Sequence, residues 1–86
     1  MMTDTPTAPT IRLNGARHDV AAGSSLLDLV AQLTGRELRT DGTRVDGGRL
    51  GVAAAIAGSV VPRGGWALRT LADGDEIEVV TAVQGG

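Results

Sequence analysis

The chain contains no cysteine, lysine, tyrosine or phenylalanine, and it has one tryptophan and one histidine. The absence of cysteine excludes disulfides, thiolate metal sites, a cysteine nucleophile and a persulfide carried by the chain itself. All eight basic residues are arginine, so the chain offers no ε-amine as an isopeptide acceptor. If this protein handles sulfur, another group must hold it.

Charge and hydropathy exclude two further classes of partner. The net charge is -2 and the arginines are scattered along the chain, whereas a nucleic-acid surface needs clustered positive charge. No apolar run approaches the roughly 18 to 20 residues that a membrane span needs. Residues 1–10 also lack the basic and apolar blocks of a signal peptide. We therefore expect a cytoplasmic protein with no nucleic-acid and no membrane partner.

The length of 86 residues fits one small domain with little room for an enclosed active site. Residues 1–10 are rich in Pro and Thr and poor in apolar side chains, which predicts a disordered leader. Residues 11–86 then form the domain and its flexible Gly-Gly tail. A domain of this size that takes part in chemistry is expected to borrow the rest of its site from a partner.

Turn and capping signals predict the first elements. Asn14-Gly15 lies between two short alternating runs, which is typical of a two-residue β-hairpin. An apolar stripe at helical spacing begins at Leu26, with Ser24 or Ser25 placed to cap it and Gly35 placed to end it. We predict one helix of about ten residues.

The second half of the chain predicts three more strands. Residues 52–56 form a short apolar run, residues 59–61 follow a turn and stop at Pro62, and residues 76–83 alternate as a final strand. The connection 36–50 is predicted to be exposed, on the far side of the domain and tolerant of change. Trp66 is interpreted as a packing residue.

The predicted order is β-β-α-β-β-β, with the first and last strands adjacent. This arrangement predicts an α+β protein with the β-grasp, or ubiquitin-like, fold. It would have a mixed sheet of four to five strands with one main helix packed on one face.

The residue inventory leaves few groups for chemistry. One His, no Cys and the absence of nucleotide-binding and hydrolase motifs exclude most catalytic constellations, and we expect no bound cofactor and no metal. His18 has no evident catalytic partner and is interpreted as structural. Asp73 and Asp75 are interpreted as turn residues.

The tail Gln84-Gly85-Gly86 is the remaining candidate. Two glycines make a thin peptide that threads a narrow cleft and leaves the terminal carbonyl open to attack. A carboxylate needs activation before acyl transfer, which ATP supplies as an acyl-adenylate on a partner enzyme. Displacement by a sulfur nucleophile would leave a thiocarboxylate on Gly86.

A second candidate site is an apolar surface beside the root of the tail. Along the last strand, Val80 and Ala82 follow the two glutamates on one face, and Ala53 and Ala55 are expected to extend that face. We predict partner docking there. The alternative is that these small residues merely fill an ordinary sheet face.

Five segments of residues 11–86 together form a specific pattern: Leu13-Asn14-Gly15, residues 23–27, Val60-Val61-Pro62-Arg63 with Trp66, residues 71–80 (LADGDEIEVV) and Val83-Gln84-Gly85-Gly86. With these segments in this order, residues 11–86 resemble the ThiS family of thiamine-biosynthesis sulfur carriers. One departure is Ala57, where members of the family usually have Asn. The leader and the 36–50 connection also exceed the compact family pattern.

The resemblance implies a protein co-substrate rather than an enzyme. Its expected partners are a ThiF-type E1-like adenylating enzyme, which uses ATP, a ThiG-type thiazole synthase, and a sulfur donor such as a cysteine desulfurase. Gly86 would carry the thiocarboxylate, with Gly85 and Gln84 in the partner's cleft. Three alternatives stay open: a sulfur carrier for molybdopterin or cysteine synthesis, a ubiquitin-like protein modifier, and a β-grasp binding module with an incidental glycine end.

Overall fold

The computed structural model describes residues 8–81, which form a mixed five-stranded sheet and one α-helix. In chain order the elements are β1 (Thr10–Leu13), β2 (Ala16–Asp19), α1 (Leu26–Thr34), β3 (Val52–Ile56), β4 (Ser59–Val61), a 3-10 helix (Arg63–Leu68) and β5 (Glu76–Thr81). The strands lie in the order β2-β1-β5-β3-β4. The first and last strands are adjacent and parallel, and the predicted β-grasp fold is confirmed.

The N-terminal boundary differs from the sequence prediction. Thr10 was assigned to the leader, but it is the first residue of β1 and pairs with Asp19 of β2. Its backbone N–H donates to the carboxylate of Asp73 at 2.8 Å, and its carbonyl accepts from Gly74. These bonds compensate for the low apolar content of this segment. Residues 1–7 lie outside the described part of the chain.

The predicted hairpin at Asn14-Gly15 is confirmed. Both residues have positive φ, 51° and 84°, as a type I′ turn requires. The Asn14 side chain also joins two strands that are distant in sequence. Its amide donates to the carbonyl of Val79 at 3.2 Å and accepts from the Val79 N–H at 2.9 Å. Asn14 therefore prolongs the short parallel β1–β5 ladder beyond the end of β1.

The predicted helix caps are confirmed in detail. Ser25 is the N-cap: its hydroxyl accepts from the Asp28 N–H, and the Asp28 carboxylate accepts from the Ser25 N–H. This reciprocal pair is a capping box. At the other end Gly35 adopts the left-handed conformation, with φ 67°. These local signals determine where α1 begins and ends.

Helix α1 packs on one face of the sheet. The core contains the fully buried residues of α1, the inward-facing residues of β1, β3 and β5, and Trp66 of the 3-10 helix. Its members are Ile11, Val20, Leu26, Leu29, Val30, Val52, Ala54, Trp66, Leu71 and Ile77. None of the helices within residues 8–81 has the length and apolar character needed to span a bilayer.

Trp66 occupies the centre of this packing. It is 1% exposed, and its indole Nε1 donates to the carbonyl of Val61 at 2.9 Å. A buried indole needs such an acceptor, because an unsatisfied N–H in the core is costly. The interpretation of Trp66 as a packing residue is confirmed.

The prediction for the 36–50 connection was wrong in two respects. This segment lies beside the end of β5, since Arg36, Arg44 and Thr81 line one concavity. It is also not uniformly tolerant of change, because Gly42 is buried against Arg63. An added Cβ at Gly42 would lie 2.8 Å from the Arg63 carbonyl oxygen and closer still to Cγ.

Within this connection, hydrogen bonds made by side chains take the place of the backbone hydrogen bonds of a helix or strand. The Arg39 guanidinium donates to the carbonyls of Arg44 and Val45, both at 3.1 Å. Hydrogen bonds from Arg44 and from the Gly48 N–H lower the pKa of Asp46 to about 2. This pKa lies below the ordinary value of 3.8, so the hydrogen bonds to the ionised Asp46 carboxylate stabilise the folded loop fully above about pH 4. Their stabilising effect is lost as pH falls through about 2.

The β3–β4 turn contains a strained residue that predicts a stabilising substitution. Ala57 has φ 50°, a left-handed conformation that costs an L-residue about 1 kcal/mol and that Asn tolerates better. We expect Ala57→Asn to raise the free energy of unfolding by about 1 kcal/mol, and the melting temperature by about 4 to 8 °C. Thermal unfolding followed by circular dichroism measures this shift.

Ala31→Asn in α1 is the matched control. The same substitution at a helical φ should lower stability, because Asn is a poorer helix former than Ala by about 0.5 kcal/mol. Equal shifts in the two variants would contradict a role for the left-handed conformation of Ala57.

Candidate functional site

The face of the sheet opposite α1 carries the predicted docking residues. Ala53 lies directly across from Val80, and Ala55 lies across from Glu78. Val80 is 60% exposed. The alternation along β3 and β5 therefore places Ala53, Ala55 and Val80 together on one exposed face, as the pattern predicted. Their part in docking stays a prediction, and Ala82 lies outside the described residues.

Val60 extends this group and was missed in the sequence analysis. It pairs with Ala55 and is 74% exposed. The signal was present, because β4 contains two consecutive valines and only one of them can face the core. We call Ala53, Ala55, Val60 and Val80 the outer apolar strip.

Charged residues occupy the other half of the same face. Arg12 and Arg17 pair across β1 and β2, and Arg12 in turn pairs with Glu76. Glu78 follows Glu76 on the same side of β5 and adjoins the outer apolar strip. The face thus runs from basic through acidic to apolar between its two edges.

A broad concavity lies over this charged half. It measures about 630 Å³ and is lined by Arg12, Asn14 and Glu76 among others. It is an open groove along the seam between β1 and β5, lined by exposed charged side chains. Size alone does not identify the functional site here, because a groove open to solvent leaves its charged side chains hydrated.

The end of β5 is flanked by two smaller concavities. On the outer side, Arg63, Ala53 and Val80 line a space of about 290 Å³. On the helix side, Arg36, Arg44 and Thr81 line a space of about 270 Å³. Arginines therefore lie on both sides of the last described residue. Gln84, Gly85 and Gly86 continue the chain from this point and lie outside the described residues.

Two further carboxylates considered in the sequence, Asp73 and Asp75, serve the fold. The Asp75 carboxylate accepts from the Ala72 N–H at 2.8 Å, and Asp73 accepts from the Thr10 N–H, so both act in the turn before β5. His18 is half-buried opposite Ile11. Within residues 8–81 its Nε2 atom is buried and makes no hydrogen bond. No carboxylate or hydroxyl within residues 8–81 is hydrogen-bonded to this atom of His18 as a catalytic pair would require.

A structural comparison agrees with this fold. The chain is similar to the crystal structure of a thiamine biosynthesis protein (ThiS) from Geobacter metallireducens, with a TM-score of 0.60 and 22% sequence identity. The match covers 90% of this chain and 99% of that one. At this identity the likeness concerns the fold alone. No curated protein matches the chain.

A family comparison extends over nearly the whole sequence. The model of the ThiS family matches residues 11–86, a range that includes all five strands from Ile11 onward, the helix and the Gly-Gly tail. The resemblance drawn from the sequence motifs is confirmed, and the chain belongs to the ThiS family.

Proposed function

We propose that this protein is a sulfur carrier of thiamine thiazole biosynthesis that works through the carboxylate of Gly86. The observation that carries the proposal is the family match over residues 11–86, which includes the Gly-Gly tail. In this role the protein is a co-substrate and not a catalyst.

The proposed chemistry has two steps. A ThiF-type enzyme joins the Gly86 carboxylate to the α-phosphate of ATP, which releases pyrophosphate and leaves an acyl-adenylate. A sulfide equivalent then attacks the carbonyl carbon and expels AMP, which leaves a thiocarboxylate. The carboxylate needs this activation because its own negative charge repels nucleophiles and oxide is a poor leaving group. The thiocarboxylate finally delivers sulfur to a ThiG-type thiazole synthase.

Cofactor and donor follow from this scheme. ATP is bound and consumed by the adenylating partner, so the carrier itself needs no bound cofactor. The sulfur comes from a donor such as a cysteine desulfurase, since the carrier has no thiol of its own. Such a donor holds the sulfur as a persulfide, and an external thiol must supply two electrons to bring it to the sulfide level. Gly85 and Gln84 would lie in the partner's cleft, where the lack of a Cβ at Gly85 keeps the tail thin.

Intact mass spectrometry tests the proposal. The carrier is incubated with ATP, a ThiF-type enzyme and sulfide. We expect its mass to rise by the difference between one sulfur and one oxygen atom, with the change confined to the C-terminal peptide. Conjugates to lysines of other proteins that survive thiol treatment would instead indicate a ubiquitin-like modifier.

The outer apolar strip is the proposed docking surface for the adenylating enzyme, and Val80 tests it. Val80→Glu places a charge at the β5 side of the strip, directly across from Ala53 and close to the root of the tail. We expect the KM for the carrier in thiocarboxylate formation to rise about tenfold, because a charge buried in an apolar contact weakens binding by more than about 1.4 kcal/mol. Ala55 and Ala82 would contribute less, since alanines bury little area.

Leu68→Glu is the matched control for Val80→Glu. Leu68 is 87% exposed and lies at the C-terminal end of the 3-10 helix, which contacts α1, so it is separated along that helix from Arg63 at the outer strip. The KM for the Leu68→Glu carrier in thiocarboxylate formation should stay near that for the parent protein. A similar rise in both variants would remove the outer apolar strip from the proposed interface.

A further inference from the structure

Arg63 is a half-buried cation that is held in place from three sides. Its stem packs against the backbone of Gly42. Its guanidinium carbon lies over the Trp66 ring, 5.8 Å from the ring centroid, within the range of a cation–π contact. Its Nη2 approaches the carbonyl of Val52 at 3.5 Å. These contacts restrict the rotamers of a side chain that is otherwise flexible.

The guanidinium has unused hydrogen-bonding capacity. A guanidinium carries five N–H donors, and the single hydrogen bond of this one within residues 8–81 is the long contact with Val52. The ion pairs of the described residues join Arg44 to Asp46 and Arg69 to Asp75, so Arg63 faces no carboxylate there. Because Arg63 is only half-buried, its free N–H groups can be reached from outside the domain and can bind an anionic ligand.

The position of Arg63 indicates where such a ligand would come from. Arg63 lines the same concavity as Ala53 and Val80, so it borders the outer apolar strip at the end of β5. A protein that covers this strip and receives the tail therefore passes directly over the guanidinium. Planar guanidinium groups bind carboxylates through two parallel hydrogen bonds, which fixes orientation as well as distance.

We propose that Arg63 binds a carboxylate side chain on the surface of the adenylating partner, at the rim of the cleft that receives the tail. This inference rests on the proposed function for the identity of the partner. Arg63 acts as a positioning residue: it sets the direction in which the tail enters, while the chemistry takes place at Gly86. The partner's carboxylate supplies the counter-charge that residues 8–81 do not provide.

Gly42 gives the proposal a second, independent test. With φ 84° and its Cα against the Arg63 backbone and stem, Gly42 leaves no room for a side chain. Gly42→Ala keeps the charge of Arg63 but displaces it, so binding should weaken even though no contact residue has changed. A merely electrostatic role for Arg63 would leave this variant close to the parent.

The experiment measures the Kd of the full-length carrier for a ThiF-type enzyme by calorimetry at two salt concentrations. Arg63→Gln is expected to raise the Kd about tenfold at low salt and to reduce the dependence of Kd on salt. Arg63→Lys keeps the charge but loses the planar fork, so an intermediate Kd is expected. Arg17→Gln, at the opposite edge of the same face, is the control and should change the Kd less than twofold.

The outcomes separate this inference from the proposed function. A Kd for Arg63→Gln equal to that of Arg17→Gln, with thermal melting showing both folded, would overturn the role of Arg63. If Arg63→Gln does not fold, an unchanged Kd for Arg63→Lys and Gly42→Ala would overturn it equally. If the parent binds the enzyme but gains no thiocarboxylate, the proposed chemistry fails while the binding comparison still decides the role of Arg63. Failure of the parent to bind would overturn both.

Discussion

A chain that ends at Gly85 is expected to fold like the parent protein and to gain no sulfur when incubated with ATP, a ThiF-type enzyme and sulfide. The reacting carbonyl would then lie one residue, about 3.5 Å, short of the position that the partner's active site requires. Displacements of about 1 Å already cost rate at a positioned reaction centre, so we expect loss of the product rather than a partial effect. Intact mass and thermal melting measure the two halves of this prediction.

Addition of one alanine after Gly86 provides the reciprocal test. This variant keeps Gly85 and Gly86 but moves the carboxylate outward and replaces the terminal glycine by a residue with a Cβ. It should also gain no sulfur. One alanine added before Met1 is the control, because it changes the length of the chain equally and should leave thiocarboxylate formation unchanged. Sulfur on a chain that ends at Gly85 would contradict the proposed mechanism.

Trp66→Ala is expected to have the largest effect on stability. The indole is almost completely buried beside α1, so its removal leaves a cavity and also removes the hydrogen bond to the Val61 carbonyl. Truncations of this size cost about 3 to 5 kcal/mol, whereas the whole stability of a small domain is about 5 to 15 kcal/mol. Urea unfolding followed by circular dichroism measures the loss without the tryptophan signal.

Two further variants separate the contribution of the buried ring from that of the hydrogen bond and from that of an exposed position on the same helix. Trp66→Phe keeps much of the buried ring but loses the hydrogen bond to Val61, so we expect an intermediate loss of about 1 to 3 kcal/mol. Leu68→Ala, on the same 3-10 helix but almost fully exposed, should change stability by no more than about 0.5 kcal/mol. A Trp66→Ala protein as stable as Leu68→Ala would contradict the central place of Trp66 in the core.

The local elements were predictable because their signals are local. The Asn14-Gly15 turn and the Gly35 end depend on backbone conformations that few residue types adopt, and the Ser25 cap depends on a side-chain hydrogen bond that few residue types can make. The structure has all three. The alternation along β5 likewise fixed which side chains share a face, so Ala53 and Val80 could be placed together before their pairing was known.

The wrong predictions concern segments whose apolar residues have no regular spacing. Residues 36–50 have no repeating apolar pattern, so nothing in the sequence indicated that Gly42 would pack on Arg63, two residues that lie far apart in the chain. Thr10 was assigned to the leader for a similar reason. Its place in β1 depends on bonds to Asp19 and Asp73, and only the second of these reaches across the domain.

The sequence by itself determined the family, the element order, the caps and turns, and the tail as the candidate for chemistry, because these depend on residue types at short spacing. The tertiary structure decided what lies beside the root of that tail. It brought the outer apolar strip, the 36–50 connection and Arg63 to the end of β5, and it held Arg63 between Gly42 and Trp66 without a described carboxylate. Such a site depends on contacts between residues distant in sequence, and those contacts exist only once the sheet has closed around β5.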